Sequence, residues 1–151
     1  MRHVGLISCV RSKRPCAAPA RDLYISPWFN KSRAFVEQHC DVWFILSAKY
    51  GLVRPTDVIE PYEETLSHKS VCQRQEWAAR VWVALRSILN HNDRVTILAG
   101  EKYREHLVPL IEQHGCHVHV PMVGLGIGRQ LQWLTQQLKQ SPRERDIARF
   151  Y

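Results

Sequence analysis

Short apolar runs alternate with longer amphipathic stretches along most of the chain. Four runs, at 3–10, 42–46, 94–99 and 116–121, are rich in β-branched, aromatic or other large apolar residues and have strand length. The segments at 27–38, 69–89, 101–113 and 128–139 are predicted as helices. In the longest, Trp77, Val81, Ala84, Leu85 and Ile88 fall at helical spacing and make one apolar stripe. Ser26 before Pro27 is placed to cap one helix start, and Gly115 follows another helix as a stop signal. Near-continuous apolar strands alternating with helices predict one α/β domain over 1–151. The expected architecture is a four-stranded, mostly parallel sheet with helices on both faces, a three-layer α/β/α arrangement. The end at 141–151, with Arg143, Arg145 and Arg149, reads as a basic arm or a frayed terminus.

Composition narrows the class. Hydrophobic residues make up 45% of the 151, with five Trp, which argues for a folded globule and against disorder. Lys and Arg number 21 against 14 Asp and Glu, a net charge of +7. That surplus suits a polyanion such as DNA or RNA, or a phosphorylated small molecule. Five cysteines without a CxxC pair or a His/Cys ligand spacing argue against structural zinc and a disulfide framework, so neither a metal nor a cofactor is expected. His117 and His119 share one face of a predicted strand, but two histidines do not make a metal site. No stretch approaches the ~20 apolar residues of a membrane span, and the first residues lack a signal-peptide run. The expectation is a cytoplasmic protein with no membrane contact.

The chemistry-bearing residues gather where strands end, which is where open α/β sheets bind ligands. The first strand runs into Ser8, Cys9, Arg11, Ser12 and Lys13. Hydroxyls, backbone N–H groups and cations of this kind hold phosphate oxygens, although the Walker spacing is absent. Cys9 as a nucleophile is a second reading, without a histidine at a diagnostic offset. Asp22 and Tyr24 follow and lack an obvious capping role. The second strand delivers Lys49, Tyr50, Asp57, Glu60 and Tyr62, with Glu63 and Glu64 just beyond. Gly51 permits a sharp turn there, and Pro55 and Pro61 stiffen the excursion. Carboxylates beside tyrosines are the parts needed to cleave a glycosidic bond: one group activates water or balances an oxocarbenium-like charge while a ring stacks on the base. The plainer reading is a rigid loop whose glutamates cap the next helix. The last strand leads to Gly124, Gly126, Gly128, Arg129 and Gln130, which lack the dinucleotide spacing but can present a helix N-terminus to an anion.

The stretch 46–62 resembles the YaaA-type peroxide-stress family, whose members carry a similar Leu-Ser-x-x-Tyr-Gly-x-x-Arg-Pro-x-Asp-x-Ile-x-Pro-Tyr run and bind DNA. Here Tyr50, Gly51, Pro55, Asp57, Pro61 and Tyr62 keep that spacing. Over nearly its whole length the chain is similar to a family of small bacterial and phage proteins known only as a domain of unknown function. Ser8-Cys9-x-x-Ser12-Lys13, Asp22-Leu23-Tyr24-x-Ser26, Ser47-Ala48-Lys49-Tyr50-Gly51 and Gly124-Leu125-Gly126-Ile127-Gly128 carry that likeness. The predicted architecture also resembles uracil-DNA-glycosylase-like folds, though their loop signatures are absent.

Together these readings imply a DNA N-glycosidase that excises a base, with a modified base and phage defence as one setting. Asp57 or Glu60 would supply the carboxylate, with Lys49 and Tyr50 beside it. Tyr50 and Tyr62 would stack or orient the base, and Ser8, Ser12, Lys13, Lys49 and Arg129 would hold phosphates. The alternatives are a non-catalytic DNA-binding module and an enzyme acting on free nucleotides or nucleosides.

Overall fold

The computed structural model describes residues 1–140. The basic arm read at 141–151 lies outside the described residues. In chain order the elements are β1 (His3–Ser8), β2 (Ala18–Pro19), α1 (Ala20–Leu23), α2 (Pro27–His39), β3 (Val42–Ser47), β4 (Gly51–Val53), β5 (Val58–Ile59), α3 (Val71–Arg86), β6 (Arg94–Leu98), α4 (Glu101–Arg104), α5 (Val108–Gln113), β7 (His117–His119) and α6 (Ile127–Lys139). This is a mixed α/β domain around a mostly parallel sheet.

β1 lies at the centre of that sheet, parallel to β3 on one side and to β6 on the other, and β7 extends it beside β6. In register, Leu6 sits between Phe44 and Ile97. The strands pair where the apolar runs predict them. The four-stranded expectation needs correction, because the sheet has five strands in the order β4-β3-β1-β6-β7. The extra strand, β4, folds back antiparallel on β3 with Ser47 opposite Gly51. Gly51 adopts φ +76°, which other residues rarely adopt, and Ser47 Oγ accepts the Tyr50 N–H at 3.0 Å to hold the turn. A second, two-stranded pairing joins β2 to β5 with Ala18 opposite Ile59.

The helices follow their punctuation. Ser26 Oγ accepts the Phe29 N–H at 3.0 Å with Pro27 in the first turn of α2, and Ser70 with Gln73 forms a capping box on α3. The single helix expected at 101–113 is instead two, α4 and α5. Pro109 explains the break: it has no N–H to donate back, so it is accepted in the first turn of α5 but not inside a longer helix.

The core fills the space between sheet and helices. Val4, Leu6, Ile7, Phe29, Val36, Ile45, Leu46, Val95, Ile97 and Leu98 are all fully buried, each contributing roughly 1.5–3 kcal/mol by leaving water. Gly5 lets α2 lie directly on β1, since a Cβ there would sit 2.9 Å from Val36 Cγ1 and 3.1 Å from Cys40 Sγ. Phe35 of α2 meets Trp133 of α6 with ring centroids 5.1 Å apart. On α3, Trp77 Nε1 donates to the Ser47 carbonyl at 2.9 Å and ties that helix to the end of β3.

Candidate active site

From β1 the chain crosses to β3 on one side, then passes back to β6 on the other. Connections that leave in opposite directions open a crevice at the carboxyl ends of the two central strands. Two elements close on it here. Cys9, just past β1, donates its N–H to the Leu46 carbonyl at 2.9 Å. Tyr103, just past β6, returns its hydroxyl to accept from Cys9 Sγ at 3.5 Å and from the Leu66 N–H at 3.3 Å. Between them lies a cleft of about 710 Å³, a volume suited to a nucleotide-sized ligand. Cys9, Val10, Arg11 and Lys13 line it from the first loop, Tyr62, Glu63, Glu64, Thr65, Ser67 and His68 from the segment after β5, and Tyr103 from α4.

A chain of hydroxyls underlies the cleft. The Tyr50 N–H donates to Ser47 Oγ at 3.0 Å, Ser47 Oγ donates to Tyr62 Oη at 2.7 Å, and Tyr62 and Tyr24 share a hydrogen bond of 2.6 Å. Ser47, Tyr24 and Tyr62 are all buried. Burial pushes both phenols above their ordinary range, so they stay neutral. Burial, reinforced by neighbouring Cys9, also pushes Tyr103 up to about 12. Lys13 Nζ lies 4.4 Å from the centroid of the Tyr62 ring and donates to the Arg11 carbonyl at 3.2 Å. Loss of water around this ammonium lowers its pKa, with Cys9 and Glu63 opposing in part.

The residues expected from sequence divide into distinct places. Cys9, Arg11, Lys13 and Tyr62 line the cleft, and Tyr24 supports it from below. Ser8, Ser12 and Gln130 face a shallower hollow of about 410 Å³ beside the N-termini of α2 and α6, with Val10 and Arg11 shared between the two hollows. Gln130 there accepts from Trp28 Nε1 at 2.8 Å and donates to the Leu125 carbonyl at 2.7 Å. Gly124 borders a third, small cavity of about 170 Å³ that shares no lining residue with the cleft. Gly126 caps α6, Gly128 lies in its first turn, and Arg129 beside it is exposed. Asp22 is held by Arg33 at 3.0 Å. Lys49 is exposed with Nζ 5.3 Å from the centroid of the Tyr50 ring, and Tyr50 packs edge-on against Tyr62 from outside.

Asp57 and Glu60 do not line the cleft. Asp57 Oδ2 accepts the Arg54 N–H at 3.0 Å, and its carbonyl accepts the Ala20 N–H at 2.7 Å, so this residue shapes a turn and braces it against α1. Glu60 offers its carbonyl to Tyr50 Oη at 3.4 Å. The carboxylates that reach the cleft are Glu63 and Glu64, the latter 4.0 Å from Lys69 Nζ. Sequence reasoning had both glutamates in view as helix-capping residues, yet Ser70 and Gln73 cap α3 instead. For Tyr103 the one signal was its place after the third parallel strand. Among the described residues no group of three or more His, Cys, Asp and Glu is arranged to hold a metal ion, and no helix is long and apolar enough to cross a membrane.

A mostly parallel α/β domain with a polar cleft at its central strand ends is thus the class of protein in view. The chain belongs to the family of unknown function DUF6884, whose model matches residues 4–136. It is 29% identical over 150 residues to the uncharacterized protein YfjM of Bacillus subtilis (strain 168), an alignment covering 93% of this chain and 97% of that protein. No solved structure gives a significant match.

Proposed function

We propose that this protein cleaves the N-glycosidic bond between a nucleobase and deoxyribose in DNA, with the cleft between Cys9 and Tyr103 as the base pocket. The observation that carries the reading is the company of Glu63, Glu64, Lys13 and Tyr62 in one nucleotide-sized cleft. Cleaving this bond develops positive charge on the sugar and negative charge on the leaving base. A carboxylate from Glu63 or Glu64 balances the first, and a protonated carboxyl relieves the second. Tyr62 and Tyr103 form aromatic walls, and neutral hydroxyls beneath them leave the pocket without a buried negative charge to repel the base. Arg11, shared by the cleft and the shallower hollow, and Ser12 in that hollow, with exposed Arg129 and the net charge of +7, suit the flanking phosphates.

The reading takes the sheet to be covered on both faces. That is what right-handed crossovers would give, since the chain moves from β1 to β3 through α2 and then back past β1 to β6 through α3. It also takes the setting to be the cytoplasm, with phage or otherwise modified DNA as the source of substrate. The likeness of 46–62 to YaaA-type DNA-binding proteins supports a DNA partner. The cleft's size also accommodates a free nucleotide, which makes action on nucleosides or nucleotides the second reading.

The test is incubation of the purified protein with genomic DNA carrying natural and modified bases, and in parallel with nucleosides and nucleotides. Free base is read by mass spectrometry. Base released from DNA, and lost in Glu63→Gln/Glu64→Gln, is the expected result. Release from nucleosides alone moves the assignment to free nucleotides. Salt-sensitive DNA binding without release from any substrate makes the protein a binding module.

A further inference from the structure

We propose that Lys13 is an amine nucleophile that forms a Schiff base with C1′ of a deoxyribose held in the cleft; this inference deepens the glycosidase reading and rests on it. The placement of the lysines sets Lys13 apart. Lys69 lies 4.0 Å from the Glu64 carboxylate, Lys102 donates to the Ser67 carbonyl at 3.3 Å, and Lys49 stands exposed over Tyr50. Lys13 lines the cleft, with no carboxylate among the described residues at ion-pair distance. Its Nζ is held by the Arg11 carbonyl at 3.2 Å and lies over the Tyr62 ring at 4.4 Å.

The stem beneath that amine is fixed as well. Lys13 pairs with Tyr24 as an antiparallel bridge, flanked by Arg14 N–H to Leu23 carbonyl and Ile25 N–H to Ser12 carbonyl hydrogen bonds, both 2.9 Å. An amine on a braced backbone in a partly dry cleft meets two requirements of a nucleophile: it is positioned, and a larger share of it is unprotonated at neutral pH than of a surface lysine.

The chemistry closes with groups already lining the cleft. The neutral amine's lone pair attacks C1′, and the bond from C1′ to the base nitrogen breaks with its electron pair leaving on the base. The base takes a proton from the carboxyl of Glu63 or Glu64. The new ammonium returns a proton to that carboxylate, which passes it to O4′ as the C1′–O4′ bond opens. What remains is an iminium joining C1′ to Lys13 Nζ. Water then hydrolyses it to an abasic aldehyde and the ammonium form of Lys13, which gives its extra proton back to the carboxylate.

The experiment uses an oligonucleotide with a single abasic site, prepared by removing uracil, incubated with the full-length protein in the presence of borohydride. This probe already carries the aldehyde, so trapping does not depend on base release. The expected result is a covalent adduct that peptide mass mapping places on Lys13, with the trapping rate rising at a lower pH than for a surface lysine. Lys13→Arg keeps the positive charge and should lower trapping on the order of 100-fold. An adduct on the Met1 amine or another lysine, or no adduct at all, overturns the inference, and so does undiminished trapping by Lys13→Arg. The mapping uses the unmodified protein, so it holds even if a variant folds poorly. Base release from DNA without an adduct at Lys13 sinks this inference and leaves the glycosidase reading standing. An adduct at Lys13 with no base release from any DNA does the reverse.

Discussion

The two ends of the parallel strands carry polar clusters built on opposite principles. At the amino ends, Asp93 is buried, and its Oδ2 accepts the Asn90 N–H and the Arg2 guanidinium, both at 2.8 Å. Arg2 also donates to the Ile88 carbonyl at 2.6 Å, and Asp41 Oδ2 accepts the His3 N–H at 2.7 Å. Burial works against the charge of Asp93, yet the Asn90 N–H and Arg2 hold its carboxyl below the usual carboxylate range. At the carboxyl ends, Ser47, Tyr62 and Tyr24 satisfy one another as neutral hydroxyls, while Lys13 stands beside them with no ion pair among the described residues. A charge met by an opposite charge and by backbone groups ties neighbouring segments together, even though Arg2 Nε finds no partner. The Lys13 charge is met instead by one backbone carbonyl and the face of a ring, which leaves it accessible from the cleft.

Substitutions at the two ends should separate stability from activity. The largest effect expected is on chemistry: Glu63→Gln/Glu64→Gln should lower base release by about 10²–10⁴-fold with an unchanged urea midpoint, and a parallel loss of stability would remove the distinction. Asp93→Ala should do the opposite, lowering stability by about 2–3 kcal/mol in urea titrations while the folded fraction keeps its activity; Arg2, one-third exposed, recovers some hydration and keeps the loss at this level.

The same cluster has a pH signature. Because the folded carboxyl of Asp93 titrates below its unfolded value of about 3.9, its contribution is present above that value and disappears as pH falls through the lowered folded one. The stability gap between the native protein and Asp93→Asn should therefore hold steady from about pH 5 to 8 and close below about pH 4, as stepped-pH urea melts would record. Next, Tyr62→Phe deprives Ser47 of an acceptor and Tyr24 of a partner, at a cost of about 1–2 kcal/mol in thermal or urea unfolding. Smallest of all, Asp57→Asn retains an oxygen to accept the Arg54 N–H and should shift stability by less than about 0.5 kcal/mol, with base release unchanged. A large loss of release in that variant would return the catalytic carboxylate to the turn.

The four parallel strands were legible because buried strands are continuous apolar runs, and Ser26-Pro27 announced a helix start. β4 was hidden because three residues after a tight turn carry too little periodicity to be seen. The helix at 101–113 was read through Pro109, whose missing N–H splits it. For the candidate site, spacing drew attention to the 47–64 loop but not to which of its side chains face the cleft. In sequence Asp57 and Glu60 are as plausible for the cleft as Glu63 and Glu64, until backbone hydrogen bonds to residues 20 and 21 turn the first part of the loop toward α1. That facing is set by partners more than thirty residues away, which no local pattern encodes. Lys13 was legible as a cation, but not as one that the described residues leave without a carboxylate at ion-pair distance, since pairing depends on what the fold brings near.

The contact between Cys9 and Tyr103 spans 94 positions of sequence, and this has a consequence for the order of events during synthesis. A nascent chain that has laid down β1 and β3 still lacks a wall of its cleft, and it gains one only when the segment beyond β6 emerges and docks. An activity housed there is silent in every amino-terminal fragment ending before Tyr103. On the proposed reading, an enzyme that cuts bases from DNA would thus be born inert and become competent only when most of its length is folded.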